Sequence, residues 1–189
     1  MKRTSFTISI LFCLLLLNCG ASKENISESD RAAFNDLKTS ILTSPIRFEA
    51  ESASPTQTFG FVAASNYLLR QTGSVSSRIY LNDRNDYMYI SKDSVNSELS
   101  YYGELRNPTY GSINNGKIEL EGSPRKLKIE ENDKKQNITL NFRATNDSEE
   151  CEVTMILFPN RKATVIINSL NRTTIRYNGV FSIVEKIEN

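Results

Sequence analysis

From Pro45 onward, apolar residues recur at every second position in short runs, and this period constrains the fold more than any other feature of the chain. In the first run, Ile46, Phe48 and Ala50 alternate with charged neighbours. Alternation with a period of two places apolar side chains on one face of a β-strand and polar ones on the other. The same pattern returns in Ile79 and Leu81, Met88 and Ile90, Ile118 and Leu120, Leu127 and Ile129, Ile138 to Phe142, Val153 to Phe158, Ala163 to Ile167, and Thr174 to Tyr177.

Short polar clusters rich in Asn, Asp and Ser separate these runs, for example Asn114-Asn115-Gly116 and Pro159-Asn160-Arg161. Strands joined by such short connections pair antiparallel, because parallel pairs need long crossovers. The sequence therefore predicts a mainly β domain over residues 44–189, a single antiparallel sheet of about eight or nine strands that curves toward a barrel or sandwich. One segment, Thr58 to Thr72, lacks clean alternation and stays open between a short helix and an irregular crossing.

An N-terminal helix is predicted before the sheet, over residues 28–43. Ser27 is suited to the N-cap and Asp30 follows three residues later. Apolar residues at helical spacing then form one stripe: Ala33, Phe34, Leu37 and Ile41. We expect this stripe to pack on the sheet.

The first residues are typical of a secretory leader, with Lys2 and Arg3 ahead of an apolar stretch from Phe6 to Leu17. That stretch is shorter than the roughly 20 residues that a membrane-spanning helix needs. Leu16-Leu17-Asn18-Cys19 resembles a bacterial lipobox, although the residue before the cysteine is usually Gly, Ala or Ser. We therefore predict a signal peptide over residues 1–18, lipidation of Cys19 and a tether over residues 19–27.

The lipid would attach the exported protein to the cell envelope, at the periplasmic face of the outer membrane or at the cell surface. The alternative is ordinary cleavage after Ala21, with Cys19 discarded. A disulfide between Cys19 and Cys151 is disfavoured, because a lipid would occupy the first thiol.

Composition excludes several kinds of chemistry. The net charge is +1, or −1 once Lys2 and Arg3 leave with the leader, so no overall field favours nucleic acid. The chain has no histidine, which removes the usual general base and the commonest metal ligand. We expect no metal, no cofactor and no enzymatic activity. A hydrolase that uses carboxylates alone stays open if two of Glu49, Glu51, Glu98 and Glu104 converge.

The candidate binding surface is a cluster of tyrosines. Tyr87 and Tyr89 share one face of their strand, opposite Met88 and Ile90. If the latter two face the core, the tyrosines are exposed and could bind a glycan or a partner protein. The alternative is that a curved sheet buries both faces and the tyrosines are packing residues. The surface is predicted to consist of Tyr87, Tyr89, Tyr101, Tyr102 and Arg106.

Several stretches together resemble the domain-of-unknown-function family 4251 of Bacteroidota lipoproteins, over roughly Phe48 to Val180. They are Arg78-Ile79-Tyr80-Leu81, Tyr87-Met88-Tyr89-Ile90, Leu99-Ser100-Tyr101-Tyr102-Gly103-Glu104, Asp133-Lys134-Lys135-Gln136-Asn137, Ile156-Leu157-Phe158-Pro159-Asn160 and Ile175-Arg176-Tyr177-Asn178-Gly179. Family members commonly have proline where this chain has Ser100. The resemblance implies a lipid-anchored envelope protein with a compact β domain, and it implies no substrate.

The sequence thus favours a non-enzymatic binding or structural module that reaches the membrane through its lipid anchor. The main alternative is a carrier of a small apolar ligand or lipid. A carrier requires that the strands close around a cavity lined by Phe142, Ile156 and Phe158.

Overall fold

The architecture follows the alternation of apolar and polar residues. A computed structural model of the chain describes residues 27–69, 73–81, 85–106, 116–145 and 149–184. Cys19, its leader and its tether up to residue 26 lie outside these ranges. The helices are α1 (Glu28–Thr43) and α2 (Phe59–Leu68). The strands are β1 (Ile46–Pro55), β2 (Ile79–Tyr80), β3 (Tyr87–Ile90), β4 (Val95–Ser100), β5 (Lys117–Gly122), β6 (Arg125–Asn132), β7 (Asn137–Thr145), β8 (Glu150–Leu157), β9 (Lys162–Ser169) and β10 (Ile175–Ile183).

All strands belong to one antiparallel sheet that curls into a half-barrel. Nine strands follow the order β5-β4-β3-β1-β10-β9-β8-β7-β6, and β2 pairs with β1 beside that path. The inner face is apolar and forms a single core, in which Phe48, Met88, Val153 and Tyr177 are fully buried. The predicted fold class is confirmed.

The two edge strands of the sheet are consecutive in sequence. β5 ends at Gly122 and β6 begins at Arg125, so only Ser123 and Pro124 separate them. Because three peptide units span at most about 11 Å, the two edges must meet at this corner. Gly122 has a φ of 111°, a conformation that favours glycine. The Ser123 hydroxyl donates to the carbonyl oxygen of Asp93, which fixes the corner against the β3–β4 turn.

Alternation alone does not reveal β4. Its inward positions are Val95, Ser97 and Leu99, and the central serine interrupts the apolar pattern. Ser97 is buried, and its hydroxyl oxygen accepts a hydrogen bond from the Leu120 amide. The polar atom is therefore satisfied inside the barrel, which explains why a strand forms where the sequence pattern is weak.

Helix α1 occupies the segment for which a helix is expected, and it covers one end of the half-barrel. The Ser27 hydroxyl accepts from the Asp30 amide at 3.1 Å, and Phe34, Leu37 and Ile41 join the sheet core. Lys38 binds carboxylates at the end of β6 and in the following turn, Glu131 and Asp133. No helix in the described ranges is long and apolar enough to cross a membrane.

The segment from Thr58 to Thr72, for which the sequence left a short helix and an irregular crossing open, contains the short helix α2 over residues 59–68. The Thr58 hydroxyl caps α2 by accepting from the Phe61 amide at 3.1 Å. Phe59, the first helical residue, is 93% exposed. The last three residues of the segment, 70–72, fall outside the described ranges.

A β-bulge in β1 lets this strand change its neighbour. Ala50 pairs with Gly179 and Ser52 pairs with Asn178, so the intervening Glu51 has no opposite residue in β10. Before the bulge β1 pairs with β3, and after it β1 pairs with β2. Bulges increase local twist, and at this one the partner of β1 changes from β3 to β2.

The predicted ligand cavity is not formed by the residues expected to line it. Phe142 is buried in the core. Ile156 pairs with Thr139 on the opposite face of the sheet, and Phe158 lies just beyond the end of β8. Because the three side chains do not face one space, the void that the carrier alternative requires is not formed by these residues.

Candidate binding cleft

Tyr87 and Tyr89 lie on the outer face of β3, as their parity predicts, and both are half-buried. Met88 and Ile90 face the core. The Tyr87 hydroxyl donates to the Asn96 side chain at 2.6 Å, and the Arg47 guanidinium lies 4.7 Å from the centre of the Tyr87 ring. Tyr87 is thus engaged by its neighbours on the sheet surface.

The other predicted surface residues lie in the segment after β4 and not on β3. Tyr101 is only 6% exposed, so its assignment to an exposed binding surface is wrong. Tyr102 is half-buried and packs against the core. Arg106 is exposed, and its guanidinium donates to the carbonyl oxygen of Ser169 at 3.4 Å. The structure therefore divides the predicted cluster between the outer face of β3 and the segment that follows β4.

Tyr101 instead belongs to a buried polar network. Its hydroxyl donates to the carbonyl oxygen of Glu104 at 2.8 Å and lies 3.0 Å from the Thr173 hydroxyl. The Arg172 guanidinium lies 4.9 Å from the centre of the Tyr101 ring and forms a 2.6 Å ion pair with Glu149. Burial raises the pKa of the Tyr101 hydroxyl, so it remains a neutral hydrogen-bond donor. The network joins the segment after β4 to the β9–β10 connection.

The one cysteine in the described ranges, Cys151, is buried on the inner face of β8. Burial raises the pKa of this thiol to about 12, and the nearby Glu149 carboxylate adds to the shift. A protonated, enclosed thiol is a poor nucleophile and behaves as a small apolar group.

A concavity lies on the outer surface of the sheet, beside β2. We call it the outer cleft. It has a volume of about 670 Å³. Its lining residues are Glu51, Ser52, Arg78, Tyr80, Phe158, Asn160, Lys162, Ala163, Thr164, Asn178 and Gly179. A smaller depression of about 340 Å³ adjoins it and shares Arg78 and Asn178 with it.

Strand register explains how distant residues meet in the outer cleft. Tyr80 is opposite Ser52, Ser52 is opposite Asn178, and Asn178 is opposite Thr164. Because adjacent strands lie about 4.8 Å apart, this row extends roughly 14 Å across the sheet. The Thr164 hydroxyl donates to the Asn178 side-chain oxygen at 3.1 Å, which holds the amide in place on the cleft floor.

The charged groups of the outer cleft are mostly cationic. Arg78 and Lys162 are exposed in the cleft, and Arg176 lines the adjoining depression. In the described part of the chain, none of the three forms an ion pair. Glu51 supplies the one carboxylate among the lining residues. The Tyr80 side chain is 50% exposed and stands at the edge of this charged surface.

The carboxylates considered for hydrolysis are distributed over the molecule. Glu49 forms an ion pair with Arg47, and Glu98 forms one with Lys117. Glu51 lies in the outer cleft, whereas Glu104 belongs to the loop that contacts Thr173. Within the described ranges, no group of three metal-binding side chains is present.

A separate apolar groove of about 400 Å³ lies at the end covered by α1. Its apolar lining comes from the helix and from strands β1, β3, β6 and β7: Ile41, Leu42, Ile46, Ile90, Leu127, Ile129 and Leu140. Tyr89 is the one residue of the predicted tyrosine surface that reaches it. The other three tyrosines of the predicted surface, Tyr87, Tyr101 and Tyr102, line neither this groove nor the outer cleft.

A protein-family model described as "Domain of unknown function (DUF4251)" matches residues 28–181, from the start of α1 into β10. The chain belongs to the DUF4251 family. No curated protein matches its sequence.

In this DUF4251 domain, three of the stretches that carry the family resemblance converge on the outer cleft. Arg78 and Tyr80 come from the first stretch, Phe158 and Asn160 from the second, and Asn178 from the third. The alternate residues of the same stretches face inward, as Ile79, Leu157 and Tyr177 do. These segments therefore build the core with one face and the cleft with the other.

Sequence reasoning did not single out the outer cleft. The outward polar and aromatic residues are visible in each strand, but no local pattern shows that β1 separates β2 from β10. The available signal was the aromatic or cationic residue at outward positions of Arg78-Ile79-Tyr80 and Ile175-Arg176-Tyr177.

Proposed function

We propose that this DUF4251 domain is a non-enzymatic binding module of the cell envelope and that it binds a glycan in the outer cleft. The observation that carries the proposal is the convergence of outward-facing side chains from the β2 arm, β10 and the β8–β9 turn on one concavity of about 670 Å³. A cleft of this size is within the usual range of ligand sites.

The side chains of the cleft fit a sugar polymer. Tyr80 offers a half-exposed ring with a polar tip, a combination that suits ligands with both apolar and polar faces. Asn160, Thr164 and Asn178 supply amide and hydroxyl groups that can both donate and accept hydrogen bonds. The lining residues spread over a surface row rather than around an enclosed chamber, which favours an extended chain over a small buried ligand.

The absence of catalysis is part of the proposal. Hydrolysis of a glycosidic bond ordinarily uses two carboxyl groups on either side of the bond. Among the described residues that line the outer cleft, Glu51 is the one acid, and the chain has no histidine. This composition supports binding without turnover.

We further propose that Cys19 is lipidated and places the module at the periplasmic face of the outer membrane or at the cell surface. Cys19 lies nine positions before Glu28, the first residue of α1. An extended linker of that length reaches about 30 Å, enough to hold the domain clear of the lipid headgroups. Each buried methylene of an acyl chain contributes about 0.8 kcal/mol, so several chains on one residue make attachment stable.

Binding can be tested by titrating the purified protein with soluble polysaccharides, both neutral and acidic, and with peptidoglycan fragments. Tyr80→Ala should weaken binding to whichever glycan the wild type binds, while Phe59→Ala, which removes an exposed aromatic elsewhere, should not. The recovered glycan should have no new reducing ends.

The proposal fails if no glycan binds, or if binding persists unchanged in Tyr80→Ala. Loss of binding in a Tyr87→Ser, Tyr89→Ser double variant but not in Tyr80→Ala would place the site on β3. Release of shorter products would show that the module is an enzyme.

The anchor can be tested by metabolic labelling of cells with palmitate. Cys19→Ala should remain unprocessed and unlabelled, whereas Cys13→Ala, which changes a cysteine within the leader, should be labelled like the wild type. Labelling of Cys19→Ala at the wild-type level would refute the anchor.

A further inference from the structure

We infer that the ligand of the outer cleft is an anionic glycan, a polymer that carries carboxylate or sulfate groups along its length. The inference rests on the proposed glycan-binding function and adds the charge of the ligand. It is carried by three cationic side chains, Arg78, Lys162 and Arg176, which line the outer cleft and the depression that adjoins it.

The spacing of these cations favours a polymer over a small anion. Lys162 pairs with Val180, which is four residues along β10 from Arg176. With a rise of about 3.3 Å per residue, the backbone positions of the two cations are roughly 13 Å apart along the sheet. Arg78 lines both the outer cleft and the adjoining depression. A single phosphate could not contact both ends of this row, whereas a chain with repeated acidic groups could.

The cations of the cleft differ from most others on the same sheet in being available to a ligand. Arg47 pairs with Glu49, Lys117 with Glu98 and Arg143 with Glu150. By contrast, Arg78, Lys162 and Arg176 have no carboxylate within ion-pair distance in the described part of the chain.

Two cations, Arg78 and Lys162, and one carboxylate, Glu51, line the outer cleft. The cleft therefore carries more positive than negative charge. Because the whole chain is nearly neutral, attraction of an acidic polymer depends on this local excess and not on the overall charge.

The chemistry of the two kinds of lining residue is complementary. An arginine guanidinium can bind a carboxylate or sulfate through two parallel hydrogen bonds, which a neutral sugar cannot offer. Tyr80 and the Asn178 amide would contact the ring and hydroxyl groups of the sugar. The cleft would thus contact both the acidic group and the sugar ring of the ligand. A ligand that has the charge but lacks the sugar ring should therefore bind less tightly.

The test uses a matched pair of probes, polygalacturonate and the same polymer with its carboxylates methyl-esterified. The full chain should bind the acidic form more tightly, and its affinity should fall as sodium chloride is raised from about 50 to 300 mM, because salt screens exposed charges. Arg78→Gln combined with Arg176→Gln should weaken binding to the acidic form about fivefold to tenfold, as expected for two exposed charge pairs. Lys128→Gln combined with Lys135→Gln, which changes the net charge equally outside the cleft, should have less than a twofold effect.

The outcomes separate this inference from the function on which it rests. Equal, salt-independent binding of both polymers, weakened by Tyr80→Ala, would overturn the anionic specificity and keep glycan binding. Failure of both polymers to bind would overturn both the anionic inference and the use of this cleft for galacturonan-like chains. Equal binding of a single-stranded DNA of matched charge would show that the cleft reads charge without sugar, which also overturns the inference.

Discussion

The Glu149–Arg172 ion pair provides the sharpest test of how the loops are held, because it is buried and lies outside the proposed cleft. The exposed fractions of the two side chains are 4% for Glu149 and 8% for Arg172. We predict that Arg172→Met destabilises the protein by about 3 kcal/mol, since it removes the guanidinium that forms an ion pair with the buried Glu149 carboxylate.

The magnitude follows from the contacts of Glu149. Unit charges about 4 Å apart interact by roughly 4 kcal/mol at an effective dielectric constant of 20, and breaking a buried pair on one side typically costs about 3–5 kcal/mol. The Ser169 hydroxyl still donates to the other Glu149 oxygen at 3.2 Å, which favours the lower end of that range. Removing both charges with Arg172→Met and Glu149→Leu should cost about 1 kcal/mol or less, because no charge is then left buried.

The assay is urea denaturation of wild type, both single variants and the double variant, analysed as a double-mutant cycle. With a slope near 2 kcal/mol per molar urea, the midpoint of Arg172→Met should fall by about 1.5 M. Arg143→Met is the matched control, because the ion pairs of Arg143 with Glu150 and Glu152 are exposed and each contributes at most about 1 kcal/mol. A loss below about 1 kcal/mol in Arg172→Met, equal to that of the control, would refute the reasoning.

Two further predictions concern the core of the sheet. A Cβ atom on Gly179 would lie 2.0 Å from the Glu49 carbonyl oxygen. Gly179→Ala should therefore destabilise the protein by about 1–3 kcal/mol, measured by thermal unfolding. In the control Gly116→Ala the added Cβ meets nothing within 4 Å, and stability should change by less than about 0.5 kcal/mol. The Cys151 thiol, with its pKa raised to about 12 in the folded protein, should react with iodoacetamide at pH 8 only after unfolding. Because its folded pKa exceeds the unfolded value of 9.0, stability should fall as pH rises from about 9 to 12; rapid labelling of the folded protein would contradict this.

Most of the fold was predictable from period-two alternation, because one buried face repeats along nearly every strand. The strand β4 was missed for a local reason, the inward Ser97, whose hydroxyl is satisfied by a neighbouring strand. Tyr101 was misassigned because it follows the last residue of β4, where strand parity no longer applies. Its burial depends on Thr173, a residue far away in sequence.

The outer cleft could not be predicted from single stretches. Its floor depends on Ser52 lying between Tyr80 and Asn178, and that arrangement needs both the strand order and the bulge at Glu51. Local periodicity specifies which side chains face outward but not which strands become neighbours. Lipidation of Cys19 and the location of the protein stay predictions from the leader alone.

The meeting of β5 and β6 at Ser123 and Pro124 has a consequence for the proposed attachment to a membrane. Free sheet edges can pair with those of neighbouring molecules, and anchoring many copies to one surface raises their local concentration. Here the two edge strands meet at their connected ends, and β6 carries exposed charged side chains at alternate positions, Lys126, Lys128 and Glu130. Charges on an edge strand disfavour pairing with the edge of another molecule, which would keep copies separate if the proposed anchor holds them on one surface.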